Sequence, residues 1–84
     1  MKKGYRRSIY KELAVDPGAV IRVYRVYSGE QEFFIVTFNV KGWSIPLGEG
    51  YTPWGAVAKA TLSPFIRGSE KLERALTLLS QVII

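Results

Sequence analysis

The stretch VIRVYRVY, residues 20–27, sets two arginines and two tyrosines among β-branched residues. Guanidiniums hold phosphates and aromatic rings stack on unpaired bases, so Arg22, Tyr24, Arg25 and Tyr27 are residues suited to gripping a nucleic acid. The chain offers little other chemistry. Histidine and cysteine are absent and Asp16 is the only aspartate, which removes the common nucleophile–base pairs and the common metal ligands. The glutamates and lysines form no catalytic constellation, so the reading is a non-enzyme with no metal and no cofactor. The segment GEGYTPWG, residues 48–55, invites a phosphate-loop reading. It lacks the third glycine of a dinucleotide loop, and no Gly-Lys-Ser/Thr follows.

Charge points the same way as the arginines. Residues 1–27 carry seven basic residues (Lys2, Lys3, Arg6, Arg7, Lys11, Arg22 and Arg25) against Glu12 and Asp16. Residues 28–84 carry five basic residues and five glutamates, so the whole formal charge of +5 lies in the first third of the chain. A concentrated positive field attracts polyanions.

These groups need a scaffold, and the length limits it. Eighty-four residues make a single domain, 1–84. A chain of this size buries only about 60–65% of its unfolded surface, so its stability is modest. The hydrophobic fraction of 48% is enough for a packed core. No apolar run approaches the length of a membrane span, and the basic N-terminus lacks the apolar stretch of a secretory signal. The expected location is cytoplasmic. Asn39, Gln31 and Gln81 are the only amide side chains, a depletion of thermolabile groups that suits a thermophile.

Residues 1–18 read as a basic arm or short helix. Ile9 and Leu13 share a helical face, Ser8 is a suitable cap, and Asp16-Pro17-Gly18 breaks the chain. Residues 19–50 read as an antiparallel sheet. VIRVYRVY is its first strand, SGEQE a turn, and FFIVTFNVK the next strand, with Phe34, Val36, Phe38 and Val40 on one face. Phe33, Ile35, Thr37, Asn39 and Lys41 take the other face. Gly42 then turns the chain into a strand where Trp43, Ile45 and Leu47 alternate with Ser44 and Pro46, the proline favouring an edge.

Residues 52–84 read as two helices. Thr52 caps the first, Pro53 takes its first position, and Trp54, Val57, Ala58 and Leu62 form its apolar face; Pro64 ends it. Ser69 and Glu70 start the second. Leu72, Leu76, Leu79 and Ile83 have the spacing of a coiled-coil seam, with core packing against the sheet as an equal alternative. Val82, Ile83 and Ile84 cannot all face one core, so a homo-oligomer is expected.

The expected fold is therefore α+β and two-layered, with an antiparallel sheet of three to four strands covered on one face by C-terminal helices. The uncovered face would carry Phe33 and Lys41, with Arg22 and Tyr24 or Arg25 and Tyr27 according to register.

The segment GWSIPLGEGYTPWGAVAKA resembles the second half of a double-stranded RNA-binding domain. In that family a glycine-x-glycine closes the third strand and an alanine-rich helix follows, as Gly48, Gly50, Ala56 and Ala60 do here. The Lys-Lys-x-x-Lys that opens the family's helix is replaced by Pro53, Trp54 and Val57. Over residues 20–84 the organisation is also similar to small archaeal single-stranded DNA-binding proteins of the ThermoDBP-related group. These combine a basic, aromatic sheet with helices, some with a C-terminal zipper. The resemblance implies single-stranded DNA binding by an oligomer, with no membrane and no small-molecule substrate. Lys2, Lys3, Arg6, Arg7, Arg22, Tyr24, Arg25, Tyr27, Phe33 and Lys41 are the expected contacts. The alternatives are a duplex-RNA-binding module and a small oligomeric adaptor or structural protein, cellular or viral.

Overall fold

The structure, a computed structural model, describes residues 5–83. Four strands run in chain order as one antiparallel meander: β1 (Tyr5–Asp16), β2 (Ala19–Ser28), β3 (Gln31–Val40) and β4 (Trp43–Gly50). Three helices follow, α1 (Pro53–Ala60), α2 (Pro64–Arg67) and α3 (Glu70–Val82). The α+β class and the sheet with C-terminal helices agree with the sequence reading.

The first strand does not. Residues 5–16 form a twelve-residue edge strand on β2, not a short helix, and Ser8 caps nothing. Two register shifts interrupt the pairing, one between Ile9 and Lys11 and one between Ala14 and Asp16. Each bulge inserts an extra residue, Tyr10 and then Val15, and so changes the phase of the alternation. Ile9 ends 52% exposed opposite Tyr24, while Leu13 pairs with Ile21 and joins the core.

The helices cover the face of Ile21, Val23, Phe34, Val36 and Leu47. The way α1 is seated depends on β4. A Cβ at Gly48 would lie 2.6 Å from the Ala60 amide nitrogen, and one at Gly50 would lie 2.9 Å from that of Ala56. The helix backbone therefore rests directly on the strand, with Ala56, Val57 and Ala60 turned inward. Trp54 and Leu62, expected in that core, are instead 60% and 72% exposed, because only small side chains fit so close an approach.

Thr52 and Ser69 cap as read: Thr52 Oγ1 accepts from the Gly55 amide at 2.9 Å and Ser69 Oγ from the Leu72 amide at 3.3 Å. Pro64 opens the extra helix α2 with Ser63 as its cap, so the described residues hold three helices rather than two. On α3, Leu72, Leu76 and Leu79 are buried with Ile83 inside the single chain, against the sheet and α1. The spacing that suggested an intermolecular zipper is used for intramolecular packing. Among the described residues no helix is long and apolar enough to cross a membrane.

Candidate nucleic-acid interface

The register decides which residues share the uncovered face. Arg22 pairs with Thr37, Tyr24 with Ile35, and Val26 with Phe33, so these six side chains share the side opposite the helices. Arg7 and Ile9 join them from β1, opposite Val26 and Tyr24. Arg25 and Tyr27 pair with Phe34 and Glu32 and belong to the helix side. The two registers left open by the sequence are thus resolved in favour of Arg22 and Tyr24.

Arg25 is engaged within the chain. Its guanidinium carbon lies 5.2 Å from the Tyr10 ring centroid and 5.6 Å from that of Phe34. Nε is 3.1 Å from Glu32 Oε2, close enough for an ion pair, but the alignment makes no hydrogen bond and Nε has no other partner among the described residues. Arg25 thus caps the end of the core and is removed from the interface. Tyr27 is exposed on the same side and is removed with it.

Tyr24 is on the expected face in an unexpected role. The ring is only 9% exposed, because the Arg7 guanidinium carbon sits 4.5 Å above its centroid. Arg22 Nη1 donates to Tyr24 Oη at 3.2 Å, and Arg22 Nε donates to Glu12 Oε1 at 2.9 Å. These acceptors, Tyr24 first and Glu12 second, raise the pKa of Arg22 further above neutrality. One phenol therefore orients two cations on an open β surface. A ring covered in this way offers no free face to a base. It holds two guanidiniums in place, an arrangement that can receive an anion.

Two depressions mark the ends of β3. One lies beside Phe33 and is bordered by Gln31, Glu49, Tyr51 and Lys59, with a volume of about 340 Å³. The β4 ladder stops at the Phe34–Gly50 pair, so residues 31–33 project past it. The other, of about 390 Å³, lies by the turns at Gly18 and Gly42 and includes Arg22, Asn39, Lys41, Trp43 and Ser44. With a rise of about 3.3 Å per residue, Phe33 and Lys41 are roughly 26 Å apart along the strand.

Arg7, Arg22, Tyr24 and Phe33 thus share one face and Lys41 stands at its end. Arg6 is exposed on the opposite parity of β1, opposite Tyr27. Lys2 and Lys3 lie outside the described residues. Sequence reasoning missed Trp43 and Tyr51, exposed by 73% and 74%. Each directly follows a glycine at a strand boundary. By register Trp43 pairs with Val40 on the helix-side parity, and it borders the second depression from the edge strand.

No known protein family, curated protein or solved structure matches the chain.

Proposed function

We propose that the protein binds single-stranded nucleic acid, DNA in the first place, across the uncovered face of its sheet. The observation that carries this reading is the Arg7–Tyr24–Arg22 cluster on a face that the helices leave free, flanked by Phe33 and Lys41. A β surface with oriented guanidiniums and rings at its margins can take phosphates at its centre and bases at its ends. The basic N-terminal segment adds long-range attraction to the same polyanion. The role is non-catalytic and suits a cytoplasmic protein.

Titration of labelled single-stranded DNA, duplex DNA and duplex RNA at two salt concentrations tests it. Single strands should bind tightest, with affinity falling steeply as salt rises. Preference for duplex RNA would replace this reading with a duplex-binding module.

A protein-binding adaptor is the second reading, favoured by Trp54, Leu62, Phe65, Leu78 and Val82, which leave apolar area exposed on the helical layer. Failure to bind any of the three nucleic acids at low salt would favour it.

A further inference from the structure

The corner where the β1–β2 and β3–β4 turns meet has features that the fold itself does not require. The β3–β4 loop is two residues long, Lys41 and Gly42, between the paired Val40 and Trp43. Both loop residues have positive φ, 50° and 83°. This is the pattern of a type I′ hairpin turn, whose first position favours Asn, Asp or Gly. Among the described residues Lys41 is the only non-glycine residue with positive φ. A lysine there is strained, and strain of this kind points toward function.

Lys41 makes no ion pair among the described residues. Its neighbour Trp43 leaves most of its large indole in water, where it adds nothing to the core. Between them and Arg22 lies the depression of about 390 Å³, with Asn39 and Ser44 as uncharged polar lining. Arg22 borders the depression, with its guanidinium held by Tyr24 and Glu12. The corner thus combines an exposed ring, a free cation and a fixed cation around one concavity.

We infer that this corner is a subsite for one unpaired nucleotide, its base stacked on Trp43 and its phosphate held by Lys41 and Arg22. The inference rests on the single-stranded binding reading and adds to it a terminus for the bound strand. Phe33 marks the other end of the track, roughly 26 Å away along β3. A strand that reaches both ends should fall within the roughly 4–16 nucleotides that a small single-strand platform covers.

The test uses Trp54→Phe, which leaves Trp43 as the only indole. Saturating oligothymidylate should quench its fluorescence. Trp43→Ala should weaken binding about fivefold or more, with the salt slope unchanged. Lys41→Asn should lower the salt slope by about 0.7, the share of one phosphate contact with a single strand. The same variant should keep or raise the melting temperature, because Asn suits the turn better than Lys. Normal wild-type binding with unquenched Trp43 and unchanged affinity in both variants would overturn the subsite and leave the platform reading intact. Absence of wild-type binding to oligothymidylate at low salt would overturn both.

Discussion

At Tyr24 a ring with the right chemistry for stacking is used to orient its neighbours. Arg7 covers its face and Arg22 takes its hydroxyl, so the residue works through two cations. This separates the expected effects of substitution. Arg22→Gln should lower the slope of log K against log salt by about 0.7, because one phosphate contact with the single strand is lost. Phe33→Ala should leave that slope nearly unchanged and weaken binding about tenfold, within the roughly 1–3 kcal/mol of a base stacked on a ring. Fluorescence anisotropy at several salt concentrations reads both values. If Phe33→Ala binds normally while folded, the Phe33 end of the track carries no base. The residue types of Arg22 and Tyr24 alone suggest affinity for a polyanion. Their mutual hydrogen bond is not legible in the sequence, since it depends on an i, i+2 geometry that exists only once β2 is extended.

The contact of α1 with β4 is an element-scale feature made by absent side chains. At Gly48 a methyl group would meet the backbone of Ala60, and helix backbone cannot give way as a flexible side chain can. Gly48→Ala should destabilise the fold by about 1–3 kcal/mol, the usual cost of overpacking. For a domain of this size each kcal/mol lowers the melting temperature by about 4–8 °C, which calorimetry will resolve. A melting temperature equal to wild type would mean that α1 is free to shift outward. On α3, Leu76 and Leu79 are 0% and 1% exposed within one chain. The pair Leu76→Glu and Leu79→Glu should therefore abolish the cooperative unfolding transition at every protein concentration. A folded monomer from that variant would restore the intermolecular zipper.

At the scale of the whole molecule, the charge in the first third of the chain becomes part of the sheet. Arg6 and Arg7 lie within β1, so truncating residues 1–7 would damage an edge strand as well as remove charge. Neutralising Lys2, Lys3, Arg6 and Arg7 to glutamine is the cleaner experiment. Arg6 lies on the helix-side parity of β1, so if Lys2, Lys3 and Arg7 each neutralise one phosphate the salt slope for a single strand should flatten by roughly 2. An unchanged slope would show that these cations stay in solvent when the strand binds.

Local sequence patterns suffice for β2, β3 and β4, the two principal helices with their Thr52 and Ser69 caps, and the core face of Phe34, Val36 and Phe38. These follow from period-two alternation, turn residues and capping chemistry, all of which act over a few neighbouring residues. Tertiary structure decided β1, because bulges at Tyr10 and Val15 erase the alternation that would announce a strand. It decided the inward face of α1, because only contact with Gly48 and Gly50 favours Ala56 and Ala60 over Trp54. It also assigned the α3 leucines to the chain's own core, since heptad spacing marks an apolar stripe without saying what covers it. Arg22 and Arg25 were parted for the same reason: strand alternation puts them on opposite faces, but only packing against the helices determines which face stays open.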